Sequence, residues 1–182
     1  MILRTQRLVL RPVAPGDEAA LWPFVSQPDF PRFMNWNAHR DHEETATLVA
    51  ELARARESGT DFTFVIEHEG TLVGMIGLHG ITRVHRAWRV DRAEMGFWIG
   101  PPHQNRGFVT EAARAVLRHG FEELALHKIT IGCISDNASS RRVIEKLGFR
   151  PVGVQRHHMF RFGRWWDHLS YEMCVDEHAR GG

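Results

Sequence analysis

The most informative stretch of this 182-residue chain is His103-Gln104-Asn105-Arg106-Gly107-Phe108-Val109-Thr110-Glu111-Ala112. It lies between a strand-like segment, which ends at Gly100-Pro101-Pro102, and an apolar helical pattern. At a helix start several backbone N–H groups lack partners and the dipole is positive, so an anion can dock there. Gly107 lets the backbone approach a ligand closely, and Arg106 adds charge. The stretch predicts a phosphate-binding turn, with a plain loop and helix cap as the alternative.

The elements around this turn follow from periodicity. Residues 93–99 predict a strand before it, and residues 128–134 predict another after the helix. A further helix is predicted over 138–147, capped by Asn137 and ended by Gly148. The helix directly after the turn has apolar residues at the spacing that buries one face. These residues are Val109, Ala112, Ala113, Val116, Leu117, Phe121 and Leu124.

The whole chain predicts a mixed α/β fold. The other predicted elements are a strand at 7–12, a helix opened by 15–17, a loop at 29–39, a helix at 41–58, hairpin strands at 62–67 and 72–78, an irregular basic stretch at 81–92, and strands at 149–155 and 169–175. This order predicts a twisted, mostly antiparallel sheet of six to seven strands flanked by about four helices. One domain spanning 1–182 accounts for it.

Composition limits the partners. The formal net charge of +1 provides no strong field for nucleic acid, so no nucleic-acid partner is expected. The opening residues lack the apolar core of a signal peptide and no run is long enough to span a bilayer, so we expect a cytoplasmic protein without a membrane partner. The cysteines, Cys133 and Cys174, are interpreted as reduced, buried thiols.

No metal is expected. The twelve histidines include no His-Glu-x-x-His pattern. His157 and His158 are adjacent, so in a strand they would face opposite sides. Scattered surface histidines are the simpler interpretation.

Four segments carry a resemblance to a known family. Gln104-Asn105-Arg106-Gly107-Phe108-Val109 resembles the Gln/Arg-x-x-Gly-x-Gly/Ala pyrophosphate motif of the GNAT superfamily of N-acetyltransferases, although Val109 stands where the family has a small residue. Residues 5–12 and 93–99 are similar to the opening and the central strand of its RimJ/RimL-like branch. Residues 137–149 resemble that branch's Asn-x-x-Ser…Glu-Lys-Leu-Gly-Phe signature. Four motifs in the same order are far more specific than any one.

The resemblance implies acetyl coenzyme A (acetyl-CoA) as the cofactor and assigns residues to it. The central strand would splay from the next strand, so that the backbone of Trp98 and Ile99 binds the pantetheine arm. Asn137 would contact the pantetheine amides and Ser140 would lie near the sulfur, the alternatives being a helix cap and a first-turn residue. The diphosphate would rest on Gln104, Asn105, Arg106, Gly107, Phe108, Val109 and Thr110.

Catalytic roles also follow from the resemblance. Glu94 would take the proton of the amine, directly or through water, unless it is only a solvated strand residue. A proton would return to the thiolate from Ser140, with Tyr171 in reserve and solvent as a third source. A backbone N–H near Trp98 would meet the oxyanion. The acceptor would lie against aromatic side chains on the first loop and on a hairpin at 156–168, namely Phe33, Trp36 and Trp165.

The expected activity is acetyl transfer to a primary amine by direct attack in a ternary complex. A free α-amine has a pKa of about 7.8 and a lysine amine about 10.4, so deprotonating lysine at neutral pH costs roughly 3.5 kcal/mol more. A protein or peptide N-terminus is therefore favoured, as in the RimJ/RimL-like branch, over a small amine such as a polyamine, an aminoglycoside or an amino-acid derivative. A non-catalytic acyl-CoA-binding module, an RNA-binding adaptor using 156–168 and a homodimer are left open.

Overall fold

The computed structural model describes residues 1–181, with eight strands and five α-helices. The strands are β1 (Leu3–Arg4), β2 (Leu8–Pro12), β3 (Phe62–His68), β4 (Thr71–His85), β5 (Trp88–Ile99), β6 (Lys128–Ile134), β7 (Arg150–Arg161) and β8 (Arg164–Cys174). The helices are α1 (Glu18–Val25), α2 (His42–Glu57), α3 (Phe108–Arg118), α4 (Ala138–Lys146) and α5 (Val175–Gly181). None of these helices is long and apolar enough to cross a lipid bilayer.

Hydrogen bonding orders the strands β1-β2-β3-β4-β5-β6-β8-β7 in one mixed sheet. The pairs β1–β2, β2–β3, β3–β4, β6–β8 and β7–β8 are antiparallel, whereas β5 and β6 are parallel. The predicted mixed α/β fold with a mostly antiparallel sheet is confirmed. Its eight strands and five helices slightly exceed the predicted numbers.

The chain divides into two compact units, of which the first comprises Met1–His79 and Gly96–Val116. Helix α2 begins after Asp41, whose Oδ1 accepts a hydrogen bond from the Glu44 N–H at 2.9 Å and so satisfies one amide of the first turn. One core cluster of this unit joins α1, α2 and the β3–β4 hairpin. Its buried members are Val13, Leu21, Val49, Val65, Leu72 and Met75. This packing fixes the hairpin beside the last residues of β5.

The second unit comprises Gly80–Met95 and the chain from Leu117 onward. Strand β6 pairs with β8 along its whole length, from Lys128–Cys174 to Ile134–His168. Helix α4 follows β6, and its Ile144 is fully buried. Strand β7 is the last in the sheet order and is exposed along nearly all of its length.

The interpretation of residues 81–92 as irregular was wrong. Strand β4 continues to His85 and β5 begins at Trp88, with a turn at Arg86, whose φ is 55°. The side chains there are exposed on both faces, as at Val84 and Trp88, so no alternation of polar and apolar residues marks the strands.

The last two strands are also longer than predicted. Strand β7 runs to Arg161 and β8 begins at Arg164, so the predicted hairpin over 156–168 is confirmed. Phe162 and Gly163, both with positive φ, form its turn. The short β1 and the terminal α5 had no prediction.

Candidate active site

The turn before α3 has the backbone geometry of an anion site. Asn105 and Gly107 have φ of 60° and 78°, so two of three successive residues adopt the left-handed backbone conformation that occurs in anion-binding turns. The Gly107 carbonyl accepts the first helical hydrogen bond, from the Glu111 N–H at 3.1 Å. The amides of Gly107, Phe108, Val109 and Thr110 therefore have no partner within the helix. Phe108 and Val109 bury their side chains, so only their backbone is available to a ligand.

The charges around this turn leave it positive. Glu111, in the first turn of α3, pairs with Arg7 at 2.7 Å and accepts a hydrogen bond from Thr5 Oγ1 at 2.6 Å. Burial alone would raise the pKa of Glu111, but these bonds outweigh it and lower the pKa, so the carboxylate is ionised and neutralised by Arg7. Arg7 also donates to the Arg106 carbonyl at 3.1 Å. The guanidinium of Arg106 lies 4.6 Å from the centre of the Phe108 ring and has no acidic partner within 1–181.

The end of β5 is held tightly against β4. The Gly100 N–H donates to the Val73 carbonyl at 2.8 Å, and Gln104 Nε2 lies 3.4 Å from the Ile99 carbonyl. A Cβ on Gly74 would lie 3.0 Å from Ile99 Cα and still closer to the Trp98 carbonyl oxygen. The absence of a side chain at Gly74 therefore allows the close approach of Trp98 and Ile99.

The parallel pairing of β5 and β6 is short. Its register consists of Arg92–Lys128, Ala93–Ile129 and Glu94–Thr130. Thr130 Oγ1 also donates to the Ala93 carbonyl at 3.3 Å. The pairing stops there, although β5 continues to Ile99 and β6 to Ile134. Within residues 1–181 these are the ladder pairs of β5 with β6, and the splay of the two strands beyond them stays a prediction.

Aromatic side chains gather around Trp98 in the first unit. Its ring lies 5.7 Å from that of Phe24 and 5.3 Å from that of Phe30, the latter edge to face. Phe30 in turn lies 6.0 Å from Trp36. Of the predicted acceptor residues, Trp36 therefore joins this cluster, whereas the Phe33 ring is contacted by the Arg32 guanidinium, 5.4 Å away.

Asn137 caps α4, as the alternative interpretation held. Its Oδ1 accepts a hydrogen bond from the Ser140 N–H at 3.1 Å. The side-chain amide keeps its two N–H donors, so capping does not exclude a contact with a ligand carbonyl. Ser140 is half-buried, and its Oγ has no hydrogen-bond partner within residues 1–181.

The remaining predicted residues lie in the second unit. Glu94 is exposed and, with Thr130, forms the last ladder pair between β5 and β6. Tyr171 is buried, and burial raises the pKa of its phenol, with further effects from Cys133 and Glu145. Cys133 is buried and Cys174 is half-buried, and burial raises the pKa of each thiol. Trp165 is 57% exposed near the tip of the β7–β8 hairpin, with its ring 5.4 Å from that of Phe160.

Sequence reasoning gave no individual role to three polar residues near these groups. Thr5 and Arg7 donate hydrogen bonds to Glu111, which lies 106 and 104 positions further along the sequence. His168 lies on β8, where burial and the His158 imidazole lower the pKa of its imidazole and the Glu94 carboxylate acts in the opposite direction. No local pattern indicates these contacts, because the residues that make them are far apart in the sequence.

The chain was compared with known proteins, and residues 7–150 match the family model for the acetyltransferase (GNAT) domain. It is 30% identical over 174 residues to the uncharacterized N-acetyltransferase YoaA of Bacillus subtilis, covering 94% of this chain and 96% of that one. It is 32% identical over 115 residues to the spermidine N(1)-acetyltransferase of Escherichia coli K12, covering 63% and 58%. The ribosomal-protein-serine acetyltransferase of the same strain is 26% identical over 144 residues, covering 79% and 78%.

Solved structures agree with these sequence relatives. A GNAT-family acetyltransferase from Bacillus anthracis superposes with a TM-score of 0.82 at 28% identity, covering 97% of this chain and all of that one. Mycobacterium smegmatis RimJ, solved in complex with a CoA disulfide, has a TM-score of 0.83 at 27% identity, covering 97% and 87%. The chain belongs to the GNAT acetyltransferase family and is an acyltransferase by that membership.

Proposed function

We propose that this protein transfers an acetyl group from acetyl-CoA to a primary amine, and that the preferred acceptor is the α-amine of a protein or peptide. The observation that carries the proposal is the start of α3, where free amides, two residues with positive φ and Arg106 meet without an uncompensated carboxylate. This donor set fits a diphosphate. Relatives solved with coenzyme A support the same cofactor.

Each unit supplies groups with separate roles. The amides of 107–110, with Gln104, Asn105 and Arg106, would bind the diphosphate, and backbone groups at Trp98 and Ile99 would hydrogen-bond the pantetheine arm. In the second unit, Asn137 keeps the two N–H donors of its side chain available to an amide carbonyl of a ligand.

The chemistry needs proton movements that the chain can provide. When bound, acetyl-CoA supplies the thioester, so that an ammonium group and acetyl-CoA give an acetamide, the free thiol of CoA and one proton. Glu94 receives the proton of the ammonium, directly or through one water, because a protonated amine has no lone pair for attack. A backbone N–H near Trp98 stabilises the oxyanion. Ser140 returns a proton to the thiolate, with Tyr171 or solvent as alternatives.

The choice of an α-amine depends on the cost of removing its proton. One exposed carboxylate at Glu94 is a modest base. An α-amine with a pKa of about 7.8 requires roughly 3.5 kcal/mol less than a lysine-like amine at neutral pH. The ribosomal-protein-serine acetyltransferase among the relatives supports a protein acceptor, whereas the spermidine acetyltransferase supports a polyamine as the alternative.

The test is a panel of acceptors incubated with acetyl-CoA and analysed by mass spectrometry. The panel contains peptides with free or blocked N-termini, spermidine and an aminoglycoside. We expect a gain of one acetyl group on the free N-terminus and none on the blocked peptide. Faster acetylation of spermidine would move the proposal to the small-amine alternative. Binding of acetyl-CoA by calorimetry without any product would identify a non-catalytic binding module.

Substitutions then test the two catalytic assignments. Glu94→Gln should lower the rate by about 100-fold, chiefly below the pKa of the amine, because its carboxylate no longer takes the proton. Ser140→Ala should slow turnover while the affinity for acetyl-CoA is unchanged. Glu51→Gln, at an exposed position of α2, is the matched control and should leave the rate unchanged. A pH–rate profile of Glu94→Gln that superimposes on the wild type would remove Glu94 as the base.

A further inference from the structure

One face of the second unit carries a set of polar groups around a glycine. Glu94 pairs with Thr130, and Gly132 pairs with Ser170. Side chains of paired residues, and of residues two apart on one strand, lie on the same face of a sheet. Glu94, Thr130, Gly132, Ser170 and His168 therefore share one face, which we call the Glu94 face. His168 is a group on this face to which the acetyl transfer described above assigns no role.

The imidazole of His168 lies over Gly132. A Cβ at Gly132 would collide with Cε1 and Nε2 of His168, so the ring occupies the space that a side chain would take. Its Nδ1 is 3.5 Å from the Ser170 hydroxyl oxygen. In the tautomer in which Nδ1 carries the proton and faces Ser170, Nε2 presents its lone pair over Gly132. This lone pair can accept a proton on the Glu94 face.

The charged or titratable groups that act on His168 come from two other strands, β5 and β7. Burial lowers the pKa of His168, the imidazole of His158 on β7 lowers it further, and the Glu94 carboxylate on β5 acts in the opposite direction. The rings of His158 and His168 have their centres 5.6 Å apart. The ring also lies against Gly132 of β6 and near the Ser170 hydroxyl on its own strand, and neither of these residues is charged. A lowered pKa keeps the imidazole neutral at neutral pH, ready to accept a proton.

We propose that His168 is a second proton acceptor on the Glu94 face and that His158 passes the proton on to solvent. This inference rests on the proposed acetyl transfer. An ammonium near Glu94 loses one proton to Nε2 of His168, directly or through water. Its freed lone pair then forms the C–N bond as the C–S bond breaks and the thiolate leaves with the electron pair of the C–S bond. The nitrogen then loses its remaining excess proton and the thiolate gains one, through Ser140 or from solvent, so the products are the acetamide and the free thiol.

The proton count balances without any further reactant. The proton on His168 passes to His158, which is exposed, and from there to water. His168 is then neutral again for the next turnover. When His168 takes the proton in place of Glu94, the Glu94 carboxylate attracts the ammonium and stabilises the imidazolium that forms. A carboxylate and a neutral imidazole together make a better acceptor for an ammonium proton than either group alone.

The coupling among these groups can be measured without turnover. Histidine side chains labelled with ¹³C are titrated by NMR in the full-length protein from pH 4 to 9. Glu94→Gln should lower the pKa of His168 because it removes the favourable negative charge. His158→Gln should raise it because it removes the repulsion between two imidazolium ions. If neither substitution moves the titration of His168, the groups are not coupled and the inference is refuted.

The functional measurement is the pH dependence of kcat/KM. The wild type should lose activity as the pH falls through the lowered pKa of His168. In His168→Gln this limb should disappear and the rate at pH 7 should fall at least tenfold. His157→Asn is the matched control, because asparagine tolerates the φ of 49° at this exposed position, and its profile should match the wild type.

The two possible failures are distinct. Turnover with superimposable profiles for the wild type and His168→Gln would refute the role of His168 alone. Absence of turnover by the wild-type protein would refute the proposed function itself. Gly132→Ala provides an independent check, because its Cβ must displace the His168 ring, and it should reproduce the pH effect of His168→Gln while the imidazole is still present.

Discussion

Adding one methyl group at Gly74 should weaken the binding of acetyl-CoA through the backbone of β5. The new Cβ would lie 3.0 Å from Ile99 Cα and within the repulsive range of the Trp98 carbonyl oxygen, whereas ordinary contact begins at 3.4 Å. Because the opposing atoms are backbone, relief requires β5 to move by about 1 Å at Trp98, at a cost of about 1–3 kcal/mol of stability. A displacement of that size should raise the Kd for acetyl-CoA at least tenfold.

The assay combines urea unfolding with calorimetry of acetyl-CoA binding. Both are carried out on Gly74→Ala and on Gly153→Ala, where a Cβ meets nothing within 4 Å and φ is not positive. The control should bind and unfold like the wild type. If Gly74→Ala is folded and binds acetyl-CoA with unchanged Kd, the backbone of Trp98 and Ile99 does not bind the pantetheine arm. The reasoning from the close approach of β4 and β5 would then fail.

Two further substitutions separate stability from binding. Glu111→Gln should cost about 1–2 kcal/mol at pH 7, since it removes the ionised partner of Thr5 and Arg7. Because the folded pKa of Glu111 is lowered, this stability is fully present above the ordinary carboxyl pKa of 4.5 and is lost as the pH falls through the folded value. The difference in urea unfolding between the two proteins should therefore shrink as the pH is lowered below 4.5. Asn137→Asp keeps the acceptor oxygen for the Ser140 N–H but removes the donors, so it should leave the free energy of unfolding within about 0.5 kcal/mol and raise the Kd for acetyl-CoA about tenfold. Equal unfolding of Glu111→Gln and the wild type at pH 7, or unchanged affinity in Asn137→Asp, would contradict these expectations.

Elements with one buried face were predictable from the sequence. The strand predicted over 128–134 has those bounds in the structure, and the helix after the turn begins within one residue of its prediction. Buried residues recur at each turn of the helix and at every second residue of the strand, so the pattern of apolar residues follows the period of the backbone. Residues 81–92 lack a buried face, and their strands depend on pairing across a turn that no local pattern marks.

The candidate site was predictable only where its residues are close in sequence. Residues 104–110 and the Asn137–Ser140 cap are local motifs, and their geometry follows from helix starts. The contact of Arg7 with Glu111 and the position of His168 over Gly132 depend on register between distant segments. Register is set by strand pairing along the whole sheet, which a single sequence does not specify.

The starts of the other helices show why an anion would not bind there. The side-chain oxygens of Asp41 and Asn137 each accept a hydrogen bond from an amide in the first turn of α2 and of α4, respectively. Helix α1 begins after Asp17 with Glu18, and α5 has Asp176 and Glu177 in its first turn. Each of these starts either has its N–H groups occupied or carries negative charge that repels an anion.

Among the five helices of residues 1–181, α3 is the one that begins directly after a glycine, so no side chain at its cap position can occupy the first amides. Its first turn does contain Glu111, which by itself would repel a diphosphate. Arg7, supplied from just before β2, neutralises that carboxylate and leaves the dipole, the free amides and Arg106 to act on a ligand. The proposed diphosphate site would therefore depend on the opening segment of the chain, because Arg7 neutralises the one carboxylate in the first turn of α3.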